Sequence, residues 1–206
     1  MINIILSSEL SVKSEAEKVT SLLLNDEVDF FHLNKPDFDF REMDDFLNQI
    51  DHSLHHKIMI HTHFSLINKY DLAGICLNKS ALSQLAYADE VDKCYIQPMV
   101  LRNRKIEINR MQPSRVSYLA NSMNEIQDLI FDADYVILSH NAHSFSNAEK
   151  ALSLADEESL KMNLKNTKTK VISFGELRTN KEALLKELGF SGVASQEDFD
   201  IEMQNG

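Results

Sequence analysis

The sequence predicts an α/β fold in which eight parallel strands close into a small (β/α)8 TIM barrel. Three observations predict it. Short apolar runs alternate with helix-length amphipathic runs along the chain. There are eight such units, at about 25 residues each, and this alternation implies parallel strands with helices outside them. The 206 residues suffice for one domain with a sizeable core and sit at the lower end for a barrel. The same alternation also describes a doubly wound open sheet, and periodicity alone does not separate the two.

The elements follow in order. Ile2–Leu6 is the first strand. A helix begins near Ser14, where Ser14-Glu15-Ala16-Glu17 has the form of a capping box and Val19, Leu22 and Leu23 share one face. Residues 28–33 form the second strand. Pro36 ends it, and residues 40–50 read as a helix with Met43, Phe46 and Leu47 at helical spacing. Residues 57–61 are strand three, 64–70 a short helix and 72–77 strand four. Residues 116–119 are strand five, followed by a helix over 123–131. Strand six covers 135–139, a helix 154–164, strand seven 171–174, a helix 181–188 and strand eight 191–194.

Two places break the rhythm. The connection over 79–115 is too long for one unit. Inside it CYIQPMVL and KIEINRM alternate like two strands of a hairpin. Residues 101–115 carry Arg102, Arg104, Lys105, Arg110 and Arg115 against Glu107. That stretch is either an anion- or partner-binding patch or a solvated hairpin charged to blunt its edges. After strand eight the chain reads QEDFDIEMQNG and stops. The last barrel helix is therefore missing or short, and a second copy or a partner barrel is expected to cover that seam. Residues 1–206 read as a single barrel domain with an insertion-bearing connection at 79–115.

Composition narrows the function classes. Lys plus Arg number 21 and Asp plus Glu 32, giving a net charge of −11, which argues against nucleic-acid binding. No run of about 20 apolar residues predicts a membrane span. MINIILSSEL lacks a basic n-region, so a cytoplasmic location with reduced Cys76 and Cys94 is expected. Five glycines are few for a fold that holds phosphate on glycine turns.

In a barrel, function sits just past the strands, at the C-terminal face. There the segments FFHLNKP, IHTHFSLINKYDLAGICLN, DYVILSH, FGEL and LGFSGVA resemble the thiamine phosphate synthase and thiazole tautomerase family. The likeness is greatest to its short branch and covers most of the chain outside the 79–115 insertion. The resemblance favours the barrel over the open sheet. It implies a transferase of thiamine biosynthesis that joins a pyrimidine pyrophosphate to a thiazole phosphate, releasing pyrophosphate with Mg²⁺. It also implies a pyrimidine or thiazole ligand at His32, Asn34, Lys35, His61, Thr62, His63, Cys76, Asn121, Ser139 and Gly175.

The matched positions depart from the family pattern. Asn34 stands where an Arg grips pyrophosphate, with Lys35 beside it, and an amide cannot replace a guanidinium fork. Thr62 stands where an acidic Mg²⁺ ligand is usual, although Mg²⁺ wants carboxylate oxygens. Cys76 and Asn121 replace histidines, and Asn121 does not titrate near neutrality. Ser139 is kept, but His140 replaces a Pro and Asn147 falls where a Lys would be. The phosphate turns become Gly175-Glu176-Leu177 and Ser195-Gln196-Glu197. Carboxylates there repel an anion, and side chains block close backbone approach. These departures predict a degenerate site with reduced or lost family activity.

Other chemistries at the mouth stay open. His61 and His63 alternate as on a strand and are expected to face the same way. With His140 and His143 they are weak candidates for a transition-metal site; otherwise His61 packs in the barrel layer. Cys76 is either a nucleophile served by His61 or His63, or a small buried residue. The run Asp51-His52-Ser53-Leu54-His55-His56 precedes strand three and reads as a polar turn on the opposite, stability face. A non-catalytic interaction or ligand-binding subunit is the alternative to an enzyme.

Overall fold

The computed structural model describes residues 1–8, 14–25, 28–82, 113–129, 131–139, 154–175 and 182–196. Eight strands form one closed parallel barrel in sequence order. They are β1 (Ile2–Leu6), β2 (Phe30–Leu33), β3 (Ile58–Ile60), β4 (Gly74–Asn78), β5 (Val116–Ala120), β6 (Tyr135–Ser139), β7 (Lys170–Phe174) and β8 (Gly192–Gln196). The ring closes where Ile2–Leu6 pairs in register with Gly192–Gln196. Among the described residues, five α-helices lie between strands: α1 (Glu15–Leu23), α2 (Phe40–Asn48), α3 (Met123–Gln127), α4 (Leu154–Asn166) and α5 (Glu182–Leu188). Two 3₁₀ segments, His52–Lys57 and Phe64–Asn68, flank β3. No helix among the described residues is long and apolar enough to cross a membrane.

Period-two alternation splits the strand side chains into two layers. The outward set, with Phe31, Leu33, Ile58, Ile60, Ile75, Leu77, Val136 and Leu138, packs under the helices. The inward set fills the barrel, with Ile4, Leu6, Met59, Ile137, Ile172 and Ala194 as its apolar part. Two inner positions require glycine by close approach. A Cβ on Gly74 would lie 2.1 Å from the Arg115 carbonyl oxygen, and one on Gly192 2.3 Å from that of Ile2. Side chains there would push neighbouring strands apart.

Local capping differs from the sequence reading. The capping box lies not at Ser14 but at Asp39, whose carboxylate accepts from the Arg41 and Glu42 N–H groups while Glu42 accepts from the Asp39 N–H. Ser14 has φ 58° and makes no side-chain cap. Glu15 is not on a solvated first turn; it points inward and is buried. The polar run before β3 forms the 3₁₀ turn His52–Lys57, capped by Asp51 through the Ser53 N–H. His55 is nevertheless buried there, its Nε2–H donating to the Leu47 carbonyl. Most of the 79–115 connection, with its hairpin and arginines, and the chain after Gln196 lie outside the described residues.

Candidate functional site inside the barrel and at its C-terminal mouth

The barrel interior is chemically lopsided. Among the described residues β1, β7 and β8 contribute Ile4, Leu6, Ile172 and Ala194, while the interior's buried polar groups come from β2 to β6, beside Met59 and Ile137. Register places His32 beside Met59, Cys76 beside Ser117, and Ser117 beside Tyr135. Strand parity sends these side chains inward, and His61, the first residue past β3, continues the inward row of Met59. His32 is fully buried, His61 and Cys76 nearly so.

These groups bond to one another. His32 Nδ1 lies 2.9 Å from His61 Nε2, and His32 Nε2 lies 2.7 Å from the Tyr135 hydroxyl. A neutral imidazole has one donor and one acceptor nitrogen, so the chain Tyr135–His32–His61 is satisfied with its protons running in either direction. The two imidazoles meet edge to face at 73°. The Ser117 hydroxyl faces both the Cys76 thiol and the Tyr135 phenol. Leaving any of these groups unpaired inside the barrel would cost about 1–3 kcal/mol.

Burial sets their charge. Desolvation, then the neighbouring His61, holds His32 well below the usual histidine range. Desolvation lowers His61 to about 4. It pushes the Cys76 thiol up to about 12 and the Tyr135 phenol upward as well. All four are neutral at pH 7, so Cys76 is not a thiolate nucleophile in this state. It occupies the buried-residue alternative.

His61 and His63 do not face the same way. β3 ends at Ile60, and His63 adopts φ 49° at the head of the Phe64–Asn68 turn. Its Nε2–H donates to the Phe38 carbonyl at 2.8 Å, and its ring meets Phe40 edge on. The expected pairing of these two imidazoles for a metal fails because the strand stops before it can alternate. His140 and His143 lie outside the described residues, as do Asn147, Glu176 and Glu197.

Lys35 does not reach the mouth. Its Nζ lies 2.6 Å from Glu15 Oε2, with side-chain exposures of 0% and 2%. The pair pins the β2–α2 loop to the start of α1. Asn34 is laced to the end of β1: its N–H donates to Ser7 Oγ, and the Ser7 hydroxyl donates to the Asn34 carbonyl. Thr62 has a buried hydroxyl without a hydrogen-bond partner. Asn121 heads the turn into α3, its N–H donating to Glu125. Ser139 closes β6, half-buried. The Gly175 N–H donates to the Ala194 carbonyl at 3.0 Å and is not offered to an anion.

These positions also test the Mg²⁺ that the resemblance implies. The described residues at the strand ends or just past them include Ser7, Asn34, Thr62, Asn121, Ser139 and Gly175, and none of these carries a carboxylate. Mg²⁺ binds through carboxylates, phosphates and water, so this donor set does not fit it. A cavity of about 400 Å³ does open on the molecule, lined by Asp29, His56, Lys57, Asp71 and Arg115 among others. Every lining residue precedes or begins a strand, so the cavity lies at the face opposite the functional one.

His32 and His61 were legible as candidates, but Ser117 and Tyr135 were not. Period-two parity from an inward neighbour would have found both, given the register. No family model and no curated protein sequence matches the chain. Solved structures do. Thiamine phosphate pyrophosphorylase from Bacteroides thetaiotaomicron superposes with a TM-score of 0.69 at 20% identity, covering 100% of this chain and 90% of that one. Thiamine phosphate pyrophosphorylase from Pyrococcus furiosus gives 0.62 at 12% identity, covering 95% and 85%. An HpcH/HpaI aldolase from Desulfitobacterium hafniense gives 0.52 at 9%, covering 95% and 86%. At these identities the likeness is one of fold: the chain is a TIM barrel that resembles the thiamine phosphate pyrophosphorylases over its whole length.

Proposed function

We propose that this chain is a thiamine phosphate synthase-like barrel that has lost the phosphate and Mg²⁺ chemistry of the proteins it resembles. What it keeps is binding of a neutral, unphosphorylated pyrimidine or thiazole compound at the strand ends. The observation that carries this reading is the buried Lys35–Glu15 pair. The one cation in the segment matched to the pyrophosphate grip is neutralised by a carboxylate and closed off from solvent. The backbone supports the same reading, because the Gly175 N–H is spent within the sheet and Thr62 stands where a metal-binding carboxylate would serve. Among the described residues, the other matched groups at the strand ends, Asn34, Thr62, Asn121 and Ser139, are neutral hydroxyls and amides, which suit a neutral heterocycle better than a polyanion.

The test supplies purified protein with the pyrimidine pyrophosphate, the thiazole phosphate and Mg²⁺, then oxidises any product to fluorescent thiochrome. No product above a protein-free control is expected from a folded sample. Product that grows in proportion to protein would overturn the proposal. The binding half is read by thermal shift: the unphosphorylated pyrimidine or thiazole alcohol is expected to raise Tm, and their phosphates are expected not to.

A further inference from the structure

We propose that His32, His61 and Cys76 form a binding site for a thiophilic divalent metal ion, zinc first, inside the barrel. Their ligand atoms, one from each residue, all lie within 4.8 Å of one another. They come from three consecutive strands, β2, the end of β3 and β4, so the sheet's hydrogen bonds fix their spacing. Zinc holds imidazole nitrogen at about 2.0–2.1 Å and thiolate sulfur at about 2.3 Å, which spaces tetrahedral donors by roughly 3.3–3.6 Å. The observed 2.9 Å between His32 Nδ1 and His61 Nε2 needs to open by only a few tenths of an ångström. The sulfur, within 4.8 Å of both nitrogens, would have to close on them by about 1 Å at most.

The surroundings suit a metal as well as the donors do. A ligating imidazole normally donates its other N–H to an outer partner, which fixes its tautomer. With the metal on Nδ1, His32 would hold its proton on Nε2, where the Tyr135 oxygen stands 2.7 Å away to accept it. The Ser117 hydroxyl faces the sulfur; burial keeps the thiol protonated, pushing it up to about 12 without metal, and the Ser117 contact offsets part of that. A fourth position is left for water or for a hydroxyl. A His₂Cys donor set selects zinc-class ions and rejects Mg²⁺, so this site is separate from the one the resemblance implied.

Binding balances as one exchange. The metal ion adds to the sulfur and both nitrogens, and the thiol proton leaves to solvent. The proton now shared between the two imidazoles stays on the rings, at the nitrogens that do not ligate. Without metal, the same lone pairs are occupied by the hydrogen bond between His32 and His61. Proton and metal therefore compete for the site, and affinity falls in acid.

The test is anaerobic titration of the full-length protein with Co²⁺ alone, both added to folded protein and present during refolding, with Zn²⁺ as competitor. One equivalent is expected to give the visible bands of tetrahedral cobalt and a near-ultraviolet thiolate-to-cobalt band, both bleached by Zn²⁺. Cys76→Ala, chosen because it removes little volume and checked for fold by circular dichroism, is expected to abolish the thiolate band and weaken Zn²⁺ binding at least about 100-fold. Cys94→Ala is expected to leave both unchanged. His61→Gln adds a check on a second donor and is expected to weaken binding while the thiolate band persists at higher Co²⁺. No thiolate band from folded or refolded protein would overturn the proposal. So would a band that survives Cys76→Ala or disappears with Cys94→Ala.

Discussion

Breaking the Lys35–Glu15 pair should cost stability, because both charges are enclosed. At 2.6 Å and an effective dielectric of about 20 the attraction is about 6 kcal/mol, most of it offset by desolvation. Removing one partner strands the other charge inside the fold, and such deletions cost about 3–5 kcal/mol. Glu15→Gln and Lys35→Met should each fall in that range. With a urea m-value of about 2.5 kcal/mol/M for a chain this size, the unfolding midpoint should drop by about 1.5 M. The double variant Lys35→Met/Glu15→Leu removes both charges and keeps the volume, so it should recover to within about 1 kcal/mol of wild type. Urea titration followed by circular dichroism reads all three. If Lys35→Met leaves the midpoint unchanged, Lys35 is solvated and free to meet an anion, and the functional reading falls with it.

Further expectations concern the barrel interior. Acid should destabilise the fold before carboxylates titrate. His61 has a folded value of about 4 against about 6.5 unfolded, so between those values the unfolded chain binds more protons and stability falls with pH. The loss from pH 7 to pH 5 is about 2 kcal/mol for His61 alone, and His32 adds in the same direction; urea melts at the two pH values measure it, and His61→Gln should flatten the slope. Cys76, buried with its thiol near 12, should resist iodoacetamide at pH 8 in a Cys94→Ser background and react once urea unfolds the chain. A folded protein that alkylates as fast as free cysteine would contradict that burial. Tyr135→Phe should cost about 1–3 kcal/mol by leaving His32 Nε2 without its partner; an unchanged melting curve would remove Tyr135 from the network.

The barrel itself was legible because its signal is repeated. Eight apolar runs, each followed by a helical pattern, fixed element order and strand positions to within a residue or two, as at Tyr135–Ser139. Helix starts were less so. Ser14-Glu15-Ala16-Glu17 has the composition of a capping box, but Glu15 serves Lys35 instead, a contact across 20 residues that no local rule encodes. Strand ends were the weakest point. His61 and His63 alternate on paper, and one left-handed residue sends the second to Phe38. Asn34, Thr62, Asn121, Ser139 and Gly175 are candidates named from resemblance and strand position. The polar interior was not found as a unit, because it depends on register across five strands. Register is set by which hydrophobic faces pack together, and a single sequence states that only indirectly.

The most direct measurement is a ³¹P NMR titration of pyrophosphate, with and without Mg²⁺, against the folded protein. A barrel whose Lys35 is enclosed, whose Gly175 N–H is spent and whose described strand-end residues Asn34, Thr62, Asn121 and Ser139 carry no carboxylate should leave the phosphorus signal unshifted and unbroadened. Saturable broadening at about micromolar protein, strengthened by Mg²⁺ and lost in Lys35→Met, would mean that the phosphate site is intact and that the proposed loss of function is wrong.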